Sequence, residues 1–177
     1  MELSAYILSI LALVMMTLPS ALKGKNMKGI LVLLCLGNAM MGTSYLLEGS
    51  INGAVSSYIG VLTTAINFTF EVKNKPIPKW LIGTYMGVSV VMNVAASGGV
   101  DLSMLLVIGA AIAYQMSVTR KSGAQYRIWI LFNILLWCVY DVVSESYGAL
   151  ITHGVQLGIN IVSMLVYDRK TQKPPCS

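Results

Sequence analysis

The cations of this chain fall in four clusters, and the long stretches between the clusters hold none. The clusters are Lys23/Lys25/Lys28, Lys73/Lys75/Lys79, Arg120/Lys121/Arg127 and Arg169/Lys170/Lys173, which account for all 12 Lys and Arg residues. Successive clusters stand roughly 40 residues apart. That is the length of an out-and-back pair of helices, since each needs about 20 residues to cross ~30 Å of hydrocarbon. Acids mark the opposite reversals: Glu48, Asp101 and Glu145, with Glu2 at the amino end. Cytoplasmic loops are enriched in Lys and Arg, so the basic reversals are expected inside and the acidic ones outside.

Counting reversals predicts seven transmembrane helices, near residues 3–22, 28–47, 52–71, 79–97, 101–119, 125–144 and 149–167. The fold class is then an all-α membrane protein, amino terminus outside and carboxyl terminus cytoplasmic. Composition agrees: 56% of residues are hydrophobic, 11% are charged, and mean hydropathy is +0.73. A soluble domain carries about 25% charged residues. Lipid offers no hydrogen bonds, so a spanning backbone is either helical or a closed barrel. Long apolar runs without period-two alternation exclude the barrel. The net charge of +5 is divided among short loops, so it reads as topology and not as a nucleic-acid footprint. The first apolar segment has no basic residues before it and is read as a retained helix, not a signal peptide. Cys35 and Cys138 fall inside spans and Cys176 in the tail, which implies no disulfide framework.

The chain carries an internal repeat. Adding 95 to the first 75 positions maps Asn38 to Asn133, Tyr45 to Tyr140, Gly53-Ala54 to Gly148-Ala149, and the cations Lys25 and Lys75 to Arg120 and Lys170. Weak internal symmetry of this kind is common in transporters. It divides the chain into a first three-helix bundle (residues 1–75), a linker helix (76–98), a second three-helix bundle (99–170) and a frayed tail (171–177). Three spans invert a chain, so the fourth restores the orientation and makes the bundles parallel repeats about an axis along the membrane normal.

This 3+1+3 layout resembles the SWEET, SemiSWEET and PQ-loop superfamily, which includes the PnuC vitamin transporters. The stretch RIWILFNILLWCVYDVVSESYGALITHGVQLGINIVSMLVYDRK, residues 127–170, resembles the last two helices of the YgjV family of bacterial inner-membrane proteins. GSINGAVSSYIGVLTTAINFTF resembles that family's third helix. The wider superfamily implies facilitated movement of sugars, amino acids or vitamins. The Pro-Gln pair of PQ-loop members is split here between Pro19-Ser20 and Tyr114-Gln115, and of the Trp-Asn pair of SWEET sugar sites Trp137 is present while His153 stands at the place of the Asn.

Side chains at i, i+4 and i+7 share a helix face. The sixth span then presents Asn133, Trp137 and Tyr140 together, with Asp141 adjoining. The second presents Asn38 and Tyr45, the third Asn67, and the seventh His153, Gln156 and Asn160. Together they are the expected substrate-binding residues: aromatic rings to stack on a flat ligand, amides to hydrogen-bond it. Asp141 is expected to be a protonatable or cation-binding carboxylate, paired with His153 across the outer turn. With one His in the chain a His-based metal cluster is impossible, and no cofactor is expected. Gly83/Gly87 and Gly154/Gly158 have the four-residue spacing that lets helices approach, so the fourth span is expected to seat against a bundle or a second copy of the chain.

The expected function is a facilitator or ion-coupled carrier of a small polar metabolite, working by alternating access. The other reading is a receptor, adaptor or chaperone of the same fold that binds without moving cargo. An enzyme is not expected, because no Gly-x-Ser-x-Gly elbow or His-Glu-x-x-His occurs. A retinal protein would need a Lys inside a span.

Overall fold

Pro76 and Pro78, the glycines of the short turns and the charged reversals divide the apolar sequence into helices where the cation spacing predicts them. The computed structural model describes residues 3–21, 27–97, 101–120 and 123–168. The tail 171–177, Glu2, Cys176 and the cations Lys23, Lys25, Lys121, Arg169, Lys170 and Lys173 lie outside those residues. The helices are α1 (Leu3–Ala21), α2 (Met27–Leu47), α3 (Ile51–Val72), α4 (Lys79–Ser97), α5 (Leu102–Val118), α6 (Gly123–Val143) and α7 (Tyr147–Ser163). A short π-helical segment, Met164–Asp168, extends α7. No strand occurs among the described residues.

Four helices are long and apolar enough to cross a membrane: α2, α4, α6, and α7 with its extension. α1 and α5 are apolar but shorter. α3 has 22 residues, but its inward face is polar, with Ser56, Ser57, Thr63, Thr64 and Asn67 all buried. Its outer face carries Ile51, Leu62, Ile66 and Val72. α1 shows the same inversion. Ala5, Ser9, Ala12 and Met16 are buried at helical spacing, while Leu3, Ile7, Ile10, Val14 and Leu18 face outward. A helix with apolar residues outside and small or polar ones inside suits lipid as its solvent.

The helices α1, α2, α3, α5, α6 and α7 each pack on the next, and α7 returns to α1, so the six close a ring. α4 sits outside the ring against α3 and α5. It buries Leu81, Tyr85, Ser89 and Asn93 there. Gly83 and Gly87 face away from the bundle, with nothing near them, as do Gly154 and Gly158. The expectation that these glycines seat helices within the bundle is therefore corrected: the contact face of α4 is its polar stripe.

The α2–α3 and α6–α7 turns share one backbone design. Ser50 N–H donates to the Tyr45 carbonyl and Ser146 N–H to that of Asp141, each at 2.9 Å. The other turn bonds correspond in the same way, and a left-handed residue stands at Gly49 in one turn and Glu145 in the other. The two turns therefore correspond at a spacing of 96 residues. The 95-residue offset read from Tyr45/Tyr140 and Gly53/Gly148 is one residue out at this end. Matching tyrosines and glycines drew it off the register that the turn geometry imposes. The third acidic reversal is a helix cap: Asp101 accepts the Met104 N–H at 2.7 Å.

Candidate functional site

The end of the ring that holds Glu48, Asp101 and Glu145 is called the acidic end below. The opposite end, with Lys73, Lys75 and Arg120, is the basic end.

At mid-depth the ring encloses a cavity of about 20 Å³, lined by residues of α1 to α7 that include Asn38, Tyr45, Ser57, Asn133, Trp137 and His153. A space of that size holds about one water molecule. Five of the ten expected site residues line it: Asn38, Tyr45, Asn133, Trp137 and His153. Asn38 Nδ2 donates to the Leu34 carbonyl at 2.7 Å and the Tyr114 hydroxyl at 2.9 Å. Asn133 Nδ2 donates to the Ala110 carbonyl at 2.8 Å, tying α6 to α5.

Toward the acidic end the cavity is closed by an aromatic layer. Trp137 lies between Tyr45 and His153, with centroid separations of 5.6 and 5.7 Å and planes inclined by 25° and 14°. Tyr140 meets both Tyr45 and Trp137 edge-on. Asp141, fully buried, lies behind this layer. Its Oδ1 accepts the Tyr45 hydroxyl at 2.5 Å, and its Oδ2 meets His153 Nδ1 at 2.6 Å. The pairing expected across the outer turn is thus present, with Tyr45 as a third member.

Tyr140 does not line the cavity. Its hydroxyl oxygen accepts the Gly53 N–H at 2.9 Å, one of the orphan donors of the first turn of α3. Ser50 and Ser146, at the starts of α3 and α7, bond each other at 2.7 Å. Gly53 lies so close to Tyr45 that an added Cβ would stand 2.9–3.0 Å from three ring atoms.

Toward the basic end the Tyr114 hydroxyl bonds Asn38 and Thr64, and Gln115 Nε2 donates to Thr63 at 3.1 Å. Beyond this layer lies a second, more polar cavity of about 440 Å³, lined in part by Asn67, Glu71, Asn74, Lys75 and Arg120. Asn67 belongs there and not to the central cavity, and it accepts the Tyr85 hydroxyl at 3.2 Å. Gln156 and Asn160 line neither cavity. Gln156 Nε2 donates to the Met16 carbonyl of α1 at 3.2 Å, and Asn160 Nδ2 to the Arg127 carbonyl of α6 at 3.0 Å. α7 lies between α1 and α6, and only its acidic-end residues reach the middle of the ring.

Sequence reasoning missed Ser89 of α4 and underrated Gln115 of α5. Both are buried, both line the central cavity, and Ser89 Oγ and Gln115 Oε1 have no partner. The signal for α4 was present in Tyr85, Ser89 and Asn93, polar residues spaced four apart.

An all-helical chain with an inverted polar interior matches the family of bacterial inner membrane proteins designated Imp-YgjV over residues 3–171. The chain belongs to that family. No curated protein and no solved structure matches it. As an Imp-YgjV member it is an inner-membrane protein, and the outward apolar faces of its helices are the surface such a location requires. The match takes in all seven helices of the Imp-YgjV chain, so the polar interior belongs to the region that defines the family.

Proposed function

We propose that this protein is a carrier for a small, uncharged polar metabolite, and that the path runs between two three-helix units, α1–α3 and α5–α7. All seven helices cross the bilayer in this reading, with the acidic end outside and the basic end in the cytoplasm. α5, with 17 residues, is about 26 Å long and can span a thin or locally adjusted bilayer.

One observation carries the reading: residues 96 apart touch each other, Tyr45 with Asp141 and Ser50 with Ser146. Equivalent positions of two repeats meet where a two-fold axis passes between them. The packing supports this. Exchanging α1–α3 with α5–α7 turns the α1–α2, α2–α3 and α3–α5 contacts into α5–α6, α6–α7 and α7–α1, and all six occur. Parallel repeats of this kind put the axis along the membrane normal. The central and basic-end cavities then lie on either side of the Tyr114–Gln115 layer, which a carrier would have to open.

The arrangement is closed at the acidic end by the aromatic layer and its hydrogen bonds, and has its larger cavity at the basic end. Alternating access would rock one unit against the other, opening each end in turn. The lining of the central cavity has no Lys, Arg, Asp or Glu, which favours neutral cargo.

The test is uptake into proteoliposomes of a panel of labelled sugars, amino acids and nucleosides. At least one should accumulate above empty liposomes. Trp137→Ala should lose most of that uptake while inserting normally. Uptake of no panel member, or parental rates in Trp137→Ala, would overturn the reading. Binding of a panel member without movement would favour a receptor.

A further inference from the structure

We propose that Tyr45, Asp141 and His153 form a proton-binding site that latches the acidic end of the central path, closed when His153 carries the proton and released when it does not. The site deepens the carrier reading by naming a coupling ion, and its chemistry can be measured without any cargo.

The first ground is burial. An ionisable residue within a membrane is costly unless paired. Asp141 is 0% exposed and His153 2% exposed, and His153 Nδ1 meets Asp141 Oδ2 at 2.6 Å. With His153 protonated, the pair is net neutral and the carboxylate can stay dry. His153 Nδ1 is committed to Asp141, so proton uptake and release fall to Nε2, on a ring that also lines the central cavity. Loss of the proton leaves Asp141 as a buried anion with two donors and no compensating charge. Uncompensated burial of a carboxylate is strongly unfavourable.

The second ground is position. The three residues stand on α2, α6 and α7, so the cluster joins the two units across the axis between them. Water reaches the carboxylate if α2 moves away from α6 and α7, and that same movement opens the acidic end. Among the described residues, the titratable groups facing Asp141 offer no other counter-charge. They are Tyr45 and Glu48 from α2 and its turn, Cys138 and Tyr140 from α6, and His153 from α7. Glu48 is a second acid and supplies no counter-charge. From α3 the neighbouring groups are Ser50 and the Gly53 N–H, neither of which titrates.

The third ground supplies the measurement. Trp137 stacks on His153 at 14°, and a protonated imidazole in such contact quenches indole fluorescence. The chain has three tryptophans, so W80F/W129F leaves Trp137 as the only reporter. The full chain carrying these two changes is placed in lipid nanodiscs and titrated over roughly pH 5 to 9, the range in which histidine changes charge. Trp137 emission should rise with pH, and its quenching constant with aqueous acrylamide should rise about two-fold or more over the same transition.

H153Q in this background should abolish both changes. D141N should lose the accessibility change, because no buried anion remains to be hydrated, and should weaken the emission change, because the buried imidazolium has lost its counter-charge. Y45F retains the ring stack and removes one latch bond, so acrylamide should reach Trp137 more readily even at low pH. Flat emission in the W80F/W129F protein overturns the proposal without any further variant. So does a D141N accessibility change equal to the parent's. A flat profile alongside measurable uptake would remove the proton site and keep the carrier. An intact titration with no uptake of any panel member would do the reverse.

Discussion

Replacing Gly53 by alanine should destabilise this protein, although the same change at Gly83 should stabilise it. At Gly53 the new Cβ would stand 2.9, 3.0 and 3.0 Å from ring atoms of Tyr45. That ring cannot easily yield. It is 0% exposed, its hydroxyl is held by Asp141, and Trp137 and Tyr140 pack against it. Overpacking a fixed site costs about 1–3 kcal/mol, offset by up to about 1 kcal/mol for exchanging glycine with alanine in a helix. The net loss is about 1–2 kcal/mol, or about 2–8 °C in melting temperature for a chain of this length. At Gly83 nothing lies within 4 Å of the added Cβ, so only the helix gain of about 0.5–1 kcal/mol remains. Thermal unfolding of both variants in detergent makes the comparison. Repeating Gly53→Ala in a Tyr45→Val background isolates the contact, because the cost should largely vanish once the ring is gone. A Gly53→Ala protein as stable as Gly83→Ala would mean that α3 does not rest on Tyr45, and the closed acidic end described above would fail with it.

Glu48 should set a pH dependence of its own. Burial raises its carboxyl above the ordinary 4.5, the Ser146 hydroxyl pulls it down, and Asp141 adds to the rise. A raised value means that the stability lent by the protonated form is complete below about 4.5 and is lost as pH rises through the raised value. Glu48→Gln should therefore melt above the parent at neutral pH and converge with it below pH 4.5; parallel melting curves across that interval would refute the assignment. Orientation is tested with single cysteines in a background lacking Cys35, Cys138 and Cys176. Glu145 and Asn74 are both exposed and stand at opposite ends, so an impermeant maleimide should label Glu145→Cys in intact spheroplasts and Asn74→Cys only after permeabilisation, and the reverse pattern would invert the topology. Ser146 makes a poor probe, being 1% exposed and bonded to Ser50.

The helices were legible because their ends are set by local chemistry. A cation, an acid or Pro76/Pro78 stands at each reversal, and desolvating a charge in hydrocarbon is costly enough to fix the boundary within a few residues. The Asp141–His153 pair was legible for the same reason. A buried carboxylate needs a partner, and the only histidine lies 12 positions on, across a tight turn. The rotation of each helix about its own axis was less legible. Gln156 and Asn160 share a face with His153 on a helical wheel, yet they bond α1 and α6 because α7 lies between those helices. The polar stripe of α4 was readable but was passed over, since a helix that only restores orientation has no evident need for Tyr85, Ser89 and Asn93. Of these, Ser89 reaches the central cavity, so the apparent linker contributes to its wall.

The register of the proposed repeat was hardest to read, and the turn geometry changes what the proposed symmetry means. At an offset of 95 the two halves look alike at the acidic end, tyrosine on tyrosine. At 96, the spacing of the two turns, the axis of the proposed carrier would pass between Tyr45 and Asp141, and the two halves differ at the position where they meet. Two tyrosines at that point would have met as like neutral donors, and two aspartates as like charges in a buried site. Tyrosine against aspartate is a donor against an acceptor, and it leaves the second carboxylate oxygen free for His153. At 96 the counterpart of His153 in the first unit is Ser57, which donates to its own Gly53 carbonyl at 2.8 Å and takes no part in the pair. One half therefore carries the ionisable groups and the other the neutral donor. In the carrier proposed above, a perfectly symmetric pair of bundles could build a pore wall from repeated polar faces, but not the single proton-binding cluster proposed on its axis. Divergence at positions 45/141 and 57/153 supplies that cluster.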